Sequence, residues 1–350
     1  MASKRLEAQT IRSFVSPLGA IAGLLRYLKD VRPFHHLMGL SGFAFRINIG
    51  DRACPSSPCA FHWDQFLSRA MMLLGYECTI VQSFSTSFLF GRRLDEAHSL
   101  IKRSIDANLP LIGWELDLPE FGIIRGYDDD KGVYLIDGVL AEEGEQTLPY
   151  DKLGRNETES LFVLAPGRRF ETDDLVCAKR AIGYAVFHHR LEAPISKFYE
   201  TGPAAYGKWM DALRRRDIDP FGNSYNARVI LDARVAGASY LQHMAPQFPA
   251  GDSAKILEAA DILEEVADAF MLFSGVFAFP GDEKPFKDDV NLQKGVGWVS
   301  RARAEEEKAI DLLERVSTKW RRDLPNGQIG EKGQTEKRKK GEGHESRPGG

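Results

Sequence analysis

The sequence predicts an α+β fold, helices first and then an antiparallel sheet, followed by an all-helical stretch. Three observations carry this. First, Leu109–Gly138, LPLIGWELDLPEFGIIRGYDDDKGVYLIDG, reads as a strand, a break and a hairpin. Leu111–Glu115 is a short apolar run, and Asp117–Pro119 interrupts it because proline removes a ladder donor. Phe121–Arg125 and Val133–Asp137 are β-rich and are joined by Gly126–Gly132, whose Asp and Gly residues are turn formers. Second, helical patterns precede strand patterns in the first half instead of alternating with them, so βαβ units are not indicated. Third, the periodicity changes at Pro166-Gly167. Helical spacing then dominates, and strand signals are absent.

The elements follow in order. Leu18, Ile21, Leu24, Leu25 and Leu28 fall on one face of a first helix, Leu18–Leu28, with Ser16-Pro17 as its N-cap and first turn. Pro33–Met38 is a connector or short helix. Phe43, Phe45, Ile47 and Ile49 alternate with Ala44, Arg46 and Asn48, the pattern of a half-buried strand. A loop, Asp51–Ala60, carries Cys54 and Cys59 and feeds a helix over Phe61–Leu74. Glu77–Gln82 reads as a strand, Asp95–Asp106 as a surface helix, and Leu148–Leu153 and Ser160–Leu164 close this half. Beyond Pro166-Gly167, helices are expected over Asp173–Glu192, Gly202–Arg215, Ser224–Met244, Ala254–Phe279 and Ser300–Trp320. The third of these has a small face (Ala227, Ala233, Ala236, Gly237, Ala238) suited to close packing. The expected organisation is an α+β domain over 1–168, a helical domain over 169–321 and a disordered tail over 322–350, where apolar residues almost vanish.

Composition excludes several classes. The net charge of −4 indicates neither a nucleic-acid nor an acidic-membrane partner. Four irregularly spaced cysteines make no disulfide framework, so a reducing, cytoplasmic setting is expected. The longest apolar run, Ala267–Phe279, is too short for a bilayer. Lys4, Arg5 and Ala20-Ile-Ala22 imitate an export signal. Glu7 and Pro17 spoil the imitation, and the apolar pattern runs on to Leu28.

Three segments, GLLRYL (Gly23–Leu28), LMGLSGFAFRI (Leu37–Ile47) and PEFGIIRGYDDDKGVYLIDG (Pro119–Gly138), resemble the papain-like cysteine-protease fold. More narrowly, they resemble the N-terminal domain of the butirosin-biosynthesis acyltransferase family and the bacteriocin-leader peptidases, over about the first half of the chain. The resemblance implies a cysteine opening the first long helix, a histidine beginning a strand and an Asp or Asn on the next strand. There the thiolate attacks an acyl carbon and the imidazole moves its proton. Here the helix opens on Ser16-Pro17-Leu18-Gly19, the histidine position falls on Glu120, and the third position is kept as Asp137.

Glu120, Asp137, Cys59 and Ser16 are therefore the candidate catalytic residues. With the hairpin turn centred on Asp129, Glu120 lies across from Gly138 and Phe121 from Asp137, which brings the two carboxylates together. Such a pair either keeps one proton near neutral pH or consists of two independent edge residues in water. Cys59 precedes the helix beginning Phe61-His62-Trp63, where a helix N-terminus lowers a thiol pKa, whereas a neighbouring ionised Glu120 raises it. Arg46 and Arg125 lie in strand patterns and need carboxylates. Arg125 shares a face with Phe121 and Ile123, so Arg46 is the expected partner of Glu120 or Asp137. Arg46, Tyr127 and Trp114 are the expected substrate-binding residues.

No cofactor or metal is expected. Cys54, Cys59 and His62, with His35 or His36, have ligand chemistry but no standard spacing. Gly39–Gly42 lacks the lysine of a phosphate loop. His188-His189 reads as packing or surface, and Cys78 and Cys177 as core. The expected function is a binding or scaffold module in a bacterial biosynthetic or modification pathway, a pseudoenzyme whose cysteine–histidine pair is lost. Its ligand is a small molecule or peptide, with a basic group if both carboxylates meet it. The alternative is an active acyltransferase or amide-processing hydrolase built on Glu120, Asp137 and either Ser16 or Cys59. A protein partner would meet the helical domain.

Overall fold

In the computed structural model, residues 3–139 and 146–323 are described, with side chains as far as Trp320. The expected tail lies outside them, except that the last helix runs to Asp323. The chain begins with a short strand, β1 (Ser3–Arg5), and two helices, α1 (Ser16–Tyr27) and α2 (Phe34–Ser41). A 3-10 turn (Phe43–Phe45) leads to β2 (Asn48–Gly50). Then come α3 (Trp63–Leu73), β3 (Tyr76–Phe84) and α4 (Phe90–Asp106). The strands β4 (Leu111–Trp114), β5 (Phe121–Asp128), β6 (Val133–Asp137), β7 (Gln146–Pro149) and β8 (Ser160–Arg169) complete this half.

These strands form one antiparallel sheet in the order β3-β8-β4-β5-β6-β7, and β1 adds beside β5. One face is covered by α4, whose Leu94, Ala97, Ile101 and Ile105 join Val81, Ile124, Tyr134 and Val163. The other face, with Ile112, Phe121, Ile123 and Phe162, lies under α1 and α3. Because β5 is buried on both faces, its first half, Phe121–Ile124, is apolar or glycine at every position rather than alternating.

The second half is helical: α5 (Asp174–Arg190), α6 (Pro203–Arg215), α7 (Pro220–Met244), α8 (Ala250–Val276) and α9 (Asp289–Asp323). Pro166-Gly167 lie inside β8, so the change from strands to helices comes a few residues later than the periodicity placed it, and the core crosses that point. Ile182, Tyr240, Leu263 and Leu313 share a cluster with Leu18, Phe45 and Phe162. At Gly39 of α2 an added Cβ would stand 2.0 Å from the Tyr240 ring, so only glycine lets α2 and α7 approach this closely.

Two expectations are corrected. A strand, β9 (Tyr199–Thr201), does occur in the helical half, and it pairs antiparallel with β2. The alternation over Phe43–Ile49 is not one strand. Gly42, at φ 84°, turns the chain into the 3-10 turn, and both alternating sets are buried. Only Asn48 and Ile49 pair with a strand, β9, while the Ala44–Ile47 backbone is met largely by side chains. Arg234 Nη1 donates to the Ala44 and Arg46 carbonyls at 2.9 and 3.0 Å. His189 Nε2 lies 3.0 Å from the Phe45 carbonyl, and Ile47 N–H donates to His188 Nε2 at 2.9 Å. A buried backbone needs partners, and here the helices supply them.

Candidate functional site

Ser16 opens α1, but its hydroxyl does not cap that helix. It accepts the Phe121 N–H at 3.1 Å and donates to one oxygen of Glu120, so the start of α1 is held against the start of β5. Glu120 ends the turn between β4 and β5. Glu115 N–H donates to the Glu120 carbonyl at 2.9 Å, and the Glu115 carboxylate accepts Thr158 Oγ1–H at 2.6 Å, which fixes the turn. The other Glu120 oxygen accepts the Tyr225 hydroxyl, which reaches across from α7.

The cluster is buried, and among the described residues no cation acts on Glu120. Although the Glu120 residue keeps some surface, its carboxyl is enclosed. Burial pushes that carboxyl up, and the two hydroxyl donors only partly pull it back. Burial also pushes the Cys59 thiol well above its usual range, and the neighbouring Glu120 adds to the rise. The Tyr225 phenol is raised for the same two reasons. Thus Ser16, Glu120 and Cys59 do come together, with Tyr225 as an unforeseen fourth member.

The electronics expected of Cys59 are corrected. It ends a 3-10 turn (Ser57–Cys59), and α3 begins only at Trp63, so no helix N-terminus activates the thiol. Its carbonyl accepts Trp63 Nε1–H at 2.8 Å. Behind the cluster, Trp114 pairs across from Phe121 and packs on Trp63 and Phe121 at 4.5 and 4.8 Å between ring centroids. Its indole N–H is held by Thr158 at 2.8 Å, so Trp114 is a wall of the site.

Three other candidates lie elsewhere. Asp137 pairs with Ile123, not Phe121, because the hairpin turn centres between Asp130 and Lys131 rather than on Asp129, and the bulge between Ile124 and Gly126 recovers only one residue of that offset. The Asp137 carboxylate accepts Thr10 N–H at 2.7 Å, and the carboxylate that acts on Glu120 is Asp117. Tyr127 lies at the far end of β5, with its hydroxyl on Asp106 at 2.8 Å. Arg46 takes Glu192, not Glu120 or Asp137, at 2.9 Å and lies over the rings of Phe61 and Phe66.

The rim of the cluster is aromatic. Phe14, Phe221 and Phe279 surround Tyr225 with ring centroids 6.2, 6.0 and 6.4 Å from it, and Phe221 and Phe279 are exposed. The signal that could have found Tyr225 is the run Asn223-Ser-Tyr-Asn226, four hydrogen-bonding residues buried together on one helix. Nearby, Arg46, Asn226, Pro58 and Val229 line a cavity of about 10 Å³, room for one water.

Chemically, the arrangement is a closed set of hydroxyl-to-carboxyl bonds. Ser16 is buried, already accepts a backbone N–H and donates to Glu120. Both Glu120 oxygens are engaged, and the thiol is held in its neutral form. Among the described residues, no three His, Cys, Asp or Glu side chains converge to hold a metal, and no helix is long and apolar enough to cross a membrane. The chain matches no protein-family model, and no match is found among curated proteins.

Proposed function

We propose that this chain is a non-catalytic binding or scaffold module on a papain-like framework. The observation that carries the reading is the double engagement of Glu120 by Ser16 and Tyr225. In the resembled family these positions hold a thiolate–imidazole pair open to substrate. Here a serine and a carboxyl stand in the first two positions, and a phenol from the helical half closes over them. A raised Cys59 thiol supplies little thiolate, and the group beside it is a carboxyl that favours the neutral thiol. The ligand is a small molecule or peptide bound at the aromatic rim of Phe14, Phe221 and Phe279. A basic group on it would meet the Glu120 side of the rim. The four free cysteines suit a cytoplasmic setting, and a biosynthetic or peptide-modification pathway is the context the resemblance implies.

The test is pre-steady-state hydrolysis of p-nitrophenyl acetate together with labelling by iodoacetamide at neutral pH. The expected result is no burst, and no labelling at Cys59 faster than at an ordinary cysteine. A burst lost in Ser16→Ala or Cys59→Ser would restore the acyltransferase or hydrolase alternative. Calorimetry against a panel of primary amines and their neutral analogues tests the ligand class separately.

A further inference from the structure

The strand β3 is the outermost strand on one side of the sheet. It pairs with β8 along one edge and packs against α3 on one face and α4 on the other. Among the described residues, nothing pairs with its second edge. An edge strand of this length presents unpaired backbone N–H and C=O groups, and proteins ordinarily blunt such an edge with charge, proline or a bulge. The register of β3 is irregular only at its start, between Tyr76 and Cys78. From Cys78 to Phe84 the strand reads CTIVQSF, without charge or proline. Its one charge, Glu77, is paired with Arg168 of the same chain at 2.6 Å.

Both ends of the strand carry exposed apolar side chains. Phe84 is 67 % exposed, Phe88 is 99 % exposed and Leu89 follows, while Met72 lies exposed at the end of α3, just before the strand begins. Cys78 and Ile80 pack into the cluster under α3, and Val81 into the cluster under α4. Alternation therefore puts Phe84 on the α3 side.

We propose that β3 is where a second copy of this chain docks, β3 against β3, antiparallel across a two-fold axis. The strand is complementary to itself in that orientation. A two-fold normal to the sheet keeps the α3 faces of both copies on one side and exchanges the strand ends. The Phe84 end of one copy then lies beside the Met72 end of the other, so exposed apolar groups cover each other. The same exchange brings the exposed Arg92 at the start of α4 toward the Glu77 end of the second copy, while Arg93 is paired with Glu96 of its own chain at 2.7 Å. The uncharged stretch Cys78–Phe84 meets itself with no like charges opposed. The dimer follows from the sheet edge alone and does not depend on the reading of the Glu120 cluster.

Sedimentation velocity on the full chain, from about 1 to 100 µM, tests it. Wild type is expected to shift from monomer to dimer across this range. Phe84→Lys and, independently, Gln82→Lys are expected to raise the midpoint concentration at least tenfold. Both side chains are exposed, so the fold persists, and a circular-dichroism melt checks that it does. Val290→Ser, another exposed apolar position, is expected to dimerise as wild type does. Hydrogen exchange is expected to slow over Cys78–Phe84 as concentration rises. A wild type that stays monomeric throughout, as it would if only a foreign extended peptide used this edge, overturns the proposal. So does a dimer that both lysine variants leave intact, or concentration-dependent protection that maps elsewhere.

Discussion

Two buried polar clusters join the sheet half of the molecule to its helices, and they treat a glutamate in opposite ways. Around Glu120 the donors are the neutral hydroxyls of Ser16 and Tyr225. Burial dominates there, and the carboxyl is raised. Around Glu306 and Glu192, charged groups and imidazoles join the hydroxyls of Tyr206 and Tyr184. Arg234 grips Glu306 with Nε and Nη2, both at 2.7 Å, and His189 lies 2.7 Å from the same carboxylate. Arg46 and His188 Nδ1 hold Glu192 at 2.9 and 2.6 Å. Burial pushes both carboxyls up, but Arg234 and His189 in one case, and His188 and Arg46 in the other, bring them down to about 2. Burial alone does not set the protonation of a carboxyl; a full charge among its partners reverses the sign. The charged cluster is a fastener for the Phe43–Ile47 backbone, and the neutral one is a closed hydroxyl–carboxyl contact.

The two clusters differ most at Arg234. Arg234→Met strands the Glu306 carboxylate and the Ala44 and Arg46 carbonyls in the interior. Urea denaturation is expected to show a loss of ~3–5 kcal/mol. Glu120→Gln keeps the shape and removes only a carboxyl with raised pKa, so its change at neutral pH is expected to stay within about 1 kcal/mol. Equal losses at both sites would mean that the two clusters are alike.

The pH dependence separates them by sign. Glu192 and Glu306 have depressed folded values, so their stabilisation is full above about 4.5 and is lost as pH falls towards 2. His188, drawn down to about 3 by burial and by Arg46, must charge on unfolding below its usual 6.5, which adds to the acid loss. Glu120 runs the other way: its folded value is raised, so its contribution is present below about 4.5 and fades as pH rises through the folded value. In urea midpoints followed from about pH 4 to 8, Glu120→Gln is therefore expected to gain on wild type as pH rises. A gain on lowering pH would place Glu120 with the charged cluster.

Smaller effects sharpen the neutral cluster. Tyr225→Phe removes one donor from Glu120 and is expected to cost about 1 kcal/mol in urea unfolding. The infrared band of the protonated Glu120 carboxyl is expected to persist to higher pH. At Cys59 the smallest change is expected. Its reaction with Ellman's reagent runs slower than that of Cys54, and Glu120→Gln speeds it by removing the neighbouring charge. An unchanged rate in that variant would remove Glu120 from the list of causes.

What the sequence determined by itself was set by local periodicity. Apolar spacing marked α3 and α5 to α8, the runs of β5 and β6, and the change of character near Pro166-Gly167, because amphipathic patterns report which face a segment buries. The family resemblance put forward Glu120 and Asp137 with either Ser16 or Cys59, and of these Ser16, Glu120 and Cys59 lie together. Tertiary structure decided the rest. The Phe43–Ile49 alternation was real, but only Asn48 and Ile49 took a strand neighbour, and Arg234, His188 and His189 met the Ala44–Ile47 backbone from the far half of the chain. The Glu120–Asp137 pairing failed on the turn, which centres between Asp130 and Lys131 rather than on Asp129 and so shifts every cross-strand partner. Arg46 found Glu192 and Glu120 found Tyr225, each more than a hundred residues away. Spacing along a chain carries no record of such contacts, because packing of the two halves, not local pattern, brings those side chains within hydrogen-bond reach.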